Sequence, residues 1–497
     1  MLRLPIDEIL PEIVSGLHTS GIGVLRAPPG AGKTTGVPLA LLRHADDVEA
    51  AGDRDSSDKP ALPILRRMIV LQPRRIAAMS AADRIADLVG TNVGQRVGYQ
   101  IRFDKRWDDS TNCIAMTTGV LLRRLQSDPF LENIDAVLLD EFHERSLEMD
   151  LALGMLTRIV QTVRPDLRLL VMSATLQAQP IVDYLTQKLN RQVLAFDSQG
   201  RAYPVRTQYV GRIDRASSGG SHRHGKNSRS PQARRLQALA EDIPGIVDRA
   251  LDQTDGGVLV FLPGVGEIQR VAEALRGLQR KHGFGIHLLH GSLSAKDQAA
   301  VLRHSKRRKV VLATNVAETS VTIPEITAVI DSGLARVMRY QPGVGLSRLE
   351  VEPISMASAD QRAGRAGRTA PGVCFRMWPE AMNRGRDAYD TPEVRRSDLS
   401  AAVLQLAGWD ETDVAAFPWL DPPAESAIQT AVHSLQLQGA LQTSTSESSA
   451  AENEDPPIRS EGVATNCVHG GITEIGRLML RIPAHPRIAR MLVAAAR

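Results

Sequence analysis

The sequence predicts an α/β protein with two parallel-sheet domains in tandem, followed by a small helical module. Short apolar segments alternate with helix-length segments through the first 380 residues, and parallel sheets covered on both faces have this pattern. The pattern occurs twice, and a chain of 497 residues is too long for a single core. Beyond residue 380 the apolar segments thin out and helical periodicity takes over.

The apolar segments are predicted to be buried strands. In the first half they are Gly23–Ala27, Met68–Gln72, Cys113–Thr117, Ala136–Asp140 and Leu169–Ser173. In the second half they are Val258–Leu262, Ile286–His290, Val310–Thr314 and Ala328–Asp331. The two sets are joined near Ser198–Pro204, so we expect a first domain over residues 1–197 and a second over residues 198–378.

Two amphipathic segments, Pro392–Gly408 and Ala424–Leu441, predict a small helical or winged-helix module over residues 379–482. The last residues, Met491–Arg497, lie within a helical pattern that has no capping signal. We therefore expect residues 483–497 to begin a further helical, ratchet-like domain that is truncated.

Three polar segments are predicted to be mobile insertions, because they cannot bury enough apolar surface to offset their ordering entropy. They are the charged Asp46–Pro63, the basic Gly211–Arg235 and the acidic Gln442–Glu461. The basic segment is also a candidate for weak phosphate contacts.

Composition narrows the class of protein without identifying it. The formal net charge of +4 is compatible with nucleic-acid binding but does not require it. The three cysteines have no ligand spacing, which argues against a structural zinc and against a disulfide framework. The first residues lack the apolar core of a secretory signal, and no apolar run approaches the roughly 20 residues that span a bilayer. These features predict a cytoplasmic protein with no membrane partner.

A phosphate-binding loop is predicted at residues 27–34, which read APPGAGKT between the first strand and a helix. Small residues let backbone N–H groups turn toward phosphate oxygens, and the helix N-terminus adds positive potential. We expect Lys33 to reach the β- and γ-phosphates and the Thr34 hydroxyl to ligate Mg²⁺. A purely structural glycine turn is the alternative. The rest of the predicted loop is Pro29, Gly30, Ala31, Gly32 and Thr35.

A pair of acidic residues follows the fourth predicted strand, in the sequence Asp140-Glu141-Phe142-His143. Adjacent carboxylates repel each other, so a solvated loop is the alternative interpretation. Beside a phosphate loop the two carboxylates have separate tasks. Asp140 holds Mg²⁺, and Glu141 polarises the attacking water as a general base. The predicted metal site comprises Thr34, Asp140 and Glu141.

The segment Gln361–Arg368 places an arginine at every third position, which on a helix forms a basic stripe. A solvated helix face that binds phosphate nonspecifically is one interpretation. The other is that Arg365 and Arg368 act as arginine fingers while Gln361 helps to orient water. Fingers supplied by the second domain would make hydrolysis depend on closure of the two domains.

Taken in order, these motifs resemble those of the DEAH-box helicases of superfamily two, and of their bacterial HrpB branch in particular. The resemblance extends over essentially the whole chain, and Phe142 stands where the family name has alanine. The motifs are APPGAGKT (27–34), QPRR (72–75), TTG (117–119), DEFH (140–143), SAT (173–175), FLPG (261–264), ATNVAETSVTI (313–323) and QRAGRAGR (361–368).

The resemblance implies two RecA-like domains followed by a winged-helix-like module. It implies an ATP-dependent RNA helicase or translocase that uses ATP and Mg²⁺, with other NTPs as alternative substrates, on single-stranded or structured RNA. A DNA-directed translocase stays open, since gripping the backbone tolerates either sugar. An RNA-binding scaffold without catalysis is the alternative from another class. A protein partner is not identified.

The resemblance also implies roles for individual residues. Ser173 and Thr175 couple the phosphate state to domain movement, and His143 bridges to the second domain. Arg84 stacks on the nucleotide base, and its aromatic partner is expected at residues 331–334, which read Asp-Ser-Gly-Leu. Because no aromatic residue stands there, we expect loose discrimination among NTPs. The implied contacts to the RNA backbone are Arg74, Arg75, Thr118, Thr314 and Thr319.

Two alternating segments, Ala335–Tyr340 and Leu346–Pro353, flank Gln341–Gly345 and predict a β-hairpin. The resemblance implies that this hairpin separates nucleic-acid strands, whereas a hairpin by itself is more often structural.

Overall fold

A computed structural model describes most of the chain. The described residues are 4–51, 65–174, 178–200, 203–211, 231–318, 323–341, 343–443 and 471–496. Within these ranges, no helix combines the length and the apolar character that crossing a bilayer requires.

The first domain is built on a sheet of eight strands. In chain order they are β1 (Ile22–Arg26), β2 (Met68–Gln72), β3 (Val97–Ile101), β4 (Asp104–Arg106), β5 (Cys113–Thr117), β6 (Ala136–Leu139), β7 (Arg168–Ser173) and β8 (Leu194–Asp197). Their spatial order is β4-β3-β5-β2-β6-β7-β1-β8. Every neighbouring pair is parallel except β3 and β4.

Helices cover both faces of this sheet. One face carries α1 (Leu10–Thr19), α2 (Lys33–Ala51) and α3 (Arg75–Val89), and the other carries α4 (Thr118–Ser127), α5 (Leu147–Thr162) and α6 (Ala178–Leu189). Successive strand residues point to opposite faces. Met68 and Val70 therefore pack with the first three helices, while Ile69 and Leu71 pack with the second three. Burial on both faces explains why the strand segments are continuously apolar.

The second domain repeats this construction around six parallel strands and carries a hairpin. Its strands are β9 (Val205–Tyr209), β10 (Gly257–Phe261), β11 (Gly285–Leu289), β12 (Lys309–Ala313), β13 (Ile326–Asp331), β14 (Leu334–Gln341), β15 (Leu346–Pro353) and β16 (Gly372–Arg376). The sheet order is β11-β12-β10-β13-β16-β9. Its helices are α7 (Pro231–Gln253), α8 (Val265–Ala274), α9 (Arg276–His282), α10 (Ala295–Leu302) and α11 (Met356–Gly364). β14 and β15 pair antiparallel, which confirms the predicted hairpin.

Both predicted parallel sheets are therefore confirmed, and every predicted strand is present to within two residues at either end. The link between the sheets runs from β8 in the first to β9 in the second. The exact domain limits stay a prediction.

The residues after the second sheet form helices α12 (Ser400–Gly408), α13 (Glu425–Leu437), α14 (Glu474–Arg481) and α15 (Pro486–Ala495). They share one apolar cluster with α4, α5 and α6, so this helical module is packed on the first domain. The predicted helix Pro392–Gly408 is too long. A short 3₁₀ helix covers Glu393–Arg395, and α12 starts only at Ser400, whose amide donates to the Asp398 carboxylate at 2.8 Å.

The predicted helix Ala424–Leu441 also ends early, at Leu437. The backbone of Gly439 is left-handed, with a φ of 70°, and this ends the helical run. Leu441 then forms a single antiparallel bridge with Ile472. The winged-helix assignment of the module stays a prediction.

The three predicted polar segments lie largely outside the described residues, and the structure corrects the limits of two of them. Residues 46–51 belong to helix α2 rather than to a loop. Residues 231–235 open helix α7. Both stretches extend helices that pack on a sheet, so tertiary packing overrides the local polarity.

Candidate active site between the two domains

The phosphate loop connects β1 to α2, and helix α2 begins at Lys33. Gly30 and Gly32 have φ angles of 86° and 94°, a left-handed conformation that side chains disfavour. Ala31 lies buried inside the loop. Its N–H donates to the Pro28 carbonyl at 3.1 Å, so its amide holds the loop together and is already used. The other predicted loop residues line a cavity at the helix N-terminus: Pro29, Gly30, Gly32, Lys33, Thr34 and Thr35.

Strand β6 brings the two acidic residues to this loop. The Lys33 Nζ donates to Glu141 Oε1 at 3.0 Å and lies 3.9 Å from Asp140 Oδ1. The Thr34 hydroxyl donates to Asp140 Oδ2 at 2.5 Å. Gln72, at the end of β2, donates to the same carboxylate oxygen at 2.8 Å. Asp140 and Glu141 are buried, so the interpretation of this segment as a solvated loop is wrong.

The charges of neighbouring residues determine the ionisation states of Glu141 and Lys33. Burial opposes ionisation of Glu141, but the nearby charges of Lys33, His143 and Arg365 outweigh it and lower the pKa of Glu141 to about 2. Burial likewise acts to lower the pKa of Lys33, yet Glu141 and Asp140 raise it above its ordinary value. Glu141 is thus held as a carboxylate, which is the form that a general base requires.

A divalent cation fits the oxygen atoms at this site. The Thr34 hydroxyl and an Asp140 carboxylate oxygen lie side by side, and both are ligands that Mg²⁺ accepts. Among the described residues, no cluster of three or more histidine, cysteine or acidic side chains forms a full protein cage. Mg²⁺ keeps several waters and binds substrate phosphates, so one or two protein ligands suffice for it.

The second domain supplies the opposite side of the cavity. α11 ends at Gly364, and a 3₁₀ turn covers Arg365–Gly367. The arginines therefore do not form a stripe on one helix, and Arg362 is buried rather than solvated. Its guanidinium donates to Glu318 Oε2 at 2.8 Å and to Asp331 Oδ1 at 3.0 Å. Arg362 is a structural residue of the second domain.

Gln361, Arg365 and Arg368 line the same cavity as Lys33 and Glu141. Its volume is about 380 Å³. The Arg365 Nε donates to the Glu318 backbone carbonyl at 2.9 Å, which orients the guanidinium. Burial lowers the pKa of Arg368 to about 10, and burial together with the charge of Arg368 lowers the pKa of Arg365 well below its ordinary value. Buried cations of this kind favour an anion in the cavity.

His143 and Ser173 connect this cavity to the end of β7. His143 Nε2 lies 3.4 Å from Glu141 Oε2, and its Nδ1 accepts a hydrogen bond from the Ala174 amide at 3.3 Å. Burial lowers the pKa of His143. The Ser173 carbonyl accepts from the Ala27 amide at 2.9 Å, so the turn after β7 contacts the phosphate loop directly. Thr175 lies outside the described residues.

The structure changes the assignment of the base-binding residues. Arg84 is exposed on α3 and lines the cavity, as expected. Residues 331–334 do not line it, and the Asp331 carboxylate and the Leu334 carbonyl accept hydrogen bonds from Arg362. Leu302, the last residue of α10, is a second-domain residue that lines the same cavity as Arg84. Sequence reasoning missed it, because a leucine at the end of an amphipathic helix is indistinguishable from a core residue.

The predicted RNA-contacting residues are not gathered in one cavity. Arg74 lines a larger cavity of about 1300 Å³ between the two domains and the module, and donates to Glu144 at 3.4 Å. Arg75 is exposed at the start of α3. Thr118 is buried at the start of α4, and the Thr314 amide donates to the Leu289 carbonyl at 3.1 Å. Thr319 lies outside the described residues.

Two family descriptions match the two halves of this arrangement. Residues 7–183 match the DEAD/DEAH box helicase family, and residues 239–370 match the helicase conserved C-terminal domain. Each match contains one side of the cavity.

Known proteins resemble the chain along most of its length. It is 37% identical to the ATP-dependent RNA helicase HrpB of Escherichia coli over 89% of the chain, and 32% identical to the ATP-dependent RNA helicase HrpA of the same organism over 99%. A crystal structure of the E. coli DEAH/RHA helicase HrpB matches 99% of the chain with a TM-score of 0.75 and 36% identity. The chain spans 49% of the HrpB sequence, 54% of the chain in that crystal structure and 33% of the HrpA sequence.

Proposed function

Because the chain belongs to the DEAD/DEAH box helicase family and is similar to its HrpB members, we propose that it is an ATP-dependent RNA helicase or translocase. It couples hydrolysis in the cleft to movement along single-stranded RNA. One observation carries the proposal. Lys33 and Glu141 of the first domain line one cavity together with Gln361, Arg365 and Arg368 of the second.

The chemistry is phosphoryl transfer to water. Glu141 accepts the proton of the attacking water, and Gln361 orients that water from the opposite side. Lys33 binds the phosphates that are transferred and displaced. Thr34 and Asp140 would hold Mg²⁺, which would supply positive charge beside the phosphate oxygens. Arg365 and Arg368 stabilise the negative charge of the transition state.

Movement follows from the division of the site between two domains. Turnover requires the arginines to meet the triphosphate that Lys33 holds, so it requires the cleft to close. His143 transmits the state of Glu141 to the turn at Ser173, which contacts the phosphate loop. Alternate opening and closing moves the RNA backbone past contacts such as Arg74. A cytoplasmic location belongs to the same proposal.

Base selectivity is expected to be weak. Arg84 offers a cation that stacks on any base, and Leu302 offers an apolar contact without a hydrogen-bonding group. We therefore expect ATP, GTP, CTP and UTP to be hydrolysed with kcat/KM values within roughly 200-fold of each other, since nonspecific packing discriminates by only about 1–3 kcal/mol. A preference for ATP of a thousandfold would contradict this assignment.

The test is phosphate release from ATP with and without poly(U), for the wild type, Lys33→Ala and Lys306→Ala. Lys33→Ala should abolish RNA-stimulated release, because no other lysine is placed to bind the phosphates among the described residues that line the cavity. Lys306 lies in the second domain outside this cavity, and Lys306→Ala should retain wild-type turnover. Full turnover by purified Lys33→Ala, or no stimulation of the wild type by RNA, would count against the proposal.

A further inference from the structure

The residues Arg386–Arg396, here called the strap, run between the second domain and the module and contact both sides of the cleft. They carry none of the family motifs, and none of them lines the nucleotide cavity. Their contacts with the two domains nevertheless include hydrogen bonds at the N-termini of two helices, α5 and α11.

One end of the strap caps α11, the helix that carries Gln361. The amides of Met356 and Ala357, at the start of α11, donate to the carbonyls of Asp387 and Ala388 at 2.9 and 3.0 Å. The first amides of a helix have no partner within the helix, so these carbonyls complete its N-terminus. Arg365 and Arg368 follow directly from the other end of α11.

The other end of the strap caps α5, the helix that follows the acidic motif. The Leu147 amide donates to Glu393 Oε2 at 3.0 Å, and the Glu393 amide donates to the Arg145 carbonyl at 3.1 Å. A carboxylate is favourable at a helix N-terminus for electrostatic reasons as well. Glu393 therefore bonds both to Leu147, the first residue of α5, and to Arg145, which precedes this helix.

The junction before α5 is conformationally demanding. The turn Glu141–Arg145 begins and ends with residues in the left-handed conformation, at φ angles of 54° and 45°. Non-glycine residues keep such angles only where their surroundings impose them. The Arg145 guanidinium is fixed by Asp150 at 2.8 Å and by Asp421 of the module at 2.6 Å. Glu141 and His143 both lie within this turn.

We propose that the strap is a positioning element for catalysis: by capping α5 and α11 together, it sets the geometry of the general base relative to the arginines, and Glu393 is its main positioning residue. A ligand or partner that moved the strap would change turnover without touching the nucleotide. The inference deepens the proposed function and rests on it for its kinetic part.

The kinetic test compares Glu393→Ala with Glu411→Ala. Glu411 is a matched control, because it pairs with Arg158 of the same helix at 2.9 Å, and it too belongs to the segment after the second sheet. At 1.5 Å per residue, Arg158 lies roughly 16 Å along α5 from Leu147. Glu393→Ala should lower kcat by roughly ten- to a hundredfold, because a small misplacement of catalytic groups has effects of this size. The KM for ATP should change less than threefold, and Glu411→Ala should keep the wild-type kcat.

Rescue by the conservative variant separates positioning from a loss of folding. Glu393→Gln retains an oxygen that accepts from the Leu147 amide and should recover most of the kcat. Asp421→Ala loosens Arg145 from outside the strap and should reproduce the loss of kcat if Glu393→Ala is too unstable to purify. Equal kcat values for Glu393→Ala, Asp421→Ala and Glu411→Ala would overturn the proposal, and so would a change confined to KM.

Hydrogen exchange tests the positioning without turnover. Glu393→Ala should accelerate amide exchange over residues 141–150, whereas Glu411→Ala should leave exchange there unchanged. If the wild type has no ATPase activity but this difference is found, the proposed function fails and the positioning by the strap stands. Unchanged exchange in Glu393→Ala would contradict the inference whatever the activity of the wild type.

Discussion

The two sides of the nucleotide cavity compensate their charges in different ways. On the first-domain side, Lys33 is bonded to Glu141 and lies near Asp140, so cation and anions neutralise each other within one domain. On the second-domain side, burial lowers the pKa of Arg365 and Arg368. Arg362, three residues earlier, shows the opposite behaviour. Burial acts against its charge, but Asp331 and Glu318 raise its pKa.

This contrast separates Arg362 from Arg365 and Arg368, the proposed arginine fingers, within a single motif. Arg362 has two carboxylates of its own domain, whereas the main anion that acts on Arg368 is Glu141 of the other domain. A triphosphate bound by Lys33 would bring further negative charge to Arg365 and Arg368, which line the same cavity. The arginine side therefore depends on domain closure, and the lysine side is formed in advance.

The largest effect is expected where the contrast is sharpest, at Arg368. Arg368→Ala should lower kcat by roughly 10³–10⁵-fold, as loss of an arginine finger does in other NTPases. Nucleotide affinity should change little, since Lys33 and the phosphate loop remain. Stopped-flow binding of a fluorescent ATP analogue, together with single-turnover hydrolysis, separates the two. Loss of binding equal to the loss of turnover would place Arg368 in ground-state binding instead.

On the first-domain side, we expect the next largest effect from substitution of Glu141, the proposed general base. Glu141→Gln should lower kcat by roughly 10²–10⁴-fold, the usual contribution of a general base. It should bind ATP at least as tightly as the wild type, because a carboxylate near the phosphates is replaced by a neutral group. Equilibrium titration with the same analogue checks this. Wild-type kcat in Glu141→Gln would remove Glu141 from the mechanism.

Arg362 should show an effect on stability. Arg362→Met leaves the carboxylates of Glu318 and Asp331 buried without their partner, which costs about 3–5 kcal/mol. Urea unfolding followed by circular dichroism measures this loss. Arg368→Ala in the same assay should stay within about 1 kcal/mol of the wild type. If the two variants exchanged these behaviours, the distinction between the arginines would be wrong.

The smallest effect is expected away from both sides, at Asp398 of the module. Burial opposes ionisation of Asp398, but hydrogen bonds from His485 and Ser400 lower its pKa to about 2. A lowered folded-state pKa stabilises the protein above the unfolded value of about 3.9, and this contribution disappears as the pH falls toward 2. Asp398→Asn should therefore lose about 1–2 kcal/mol at pH 7 and roughly half as much at pH 3. An equal loss at both pH values would show that the charge of Asp398 is not responsible.

Sequence alone predicted the central strands and the first-domain side of the site. Residues such as Met68–Gln72 are buried on both faces, so their apolar character is unambiguous. The strands that it missed include β4, β8 and β9, whose residues are partly exposed and carry mixed polarity. The phosphate loop and the acidic motif were recognisable because each is a local pattern with its own chemistry.

What sequence could not predict depends on contacts between distant residues. The burial of Arg362 and its bonds to Glu318 and Asp331 could not be read from the spacing of the arginines. Leu302 resembles any helical leucine until the cavity is formed. The strap acts through backbone carbonyls and the carboxylates of Asp390 and Glu393, which leave no residue pattern.

The proposed mechanism requires one triphosphate to contact both sides of the cavity. A crystal structure with Mg²⁺ and a phosphoryl-transfer transition-state analogue tests this most directly. We expect Lys33 and at least one of Arg365 and Arg368 to lie within hydrogen-bonding distance of the same analogue, with Thr34 and Asp140 beside the cation. An analogue bound to Lys33 in a closed cleft, with both arginines turned away from it, would contradict the account.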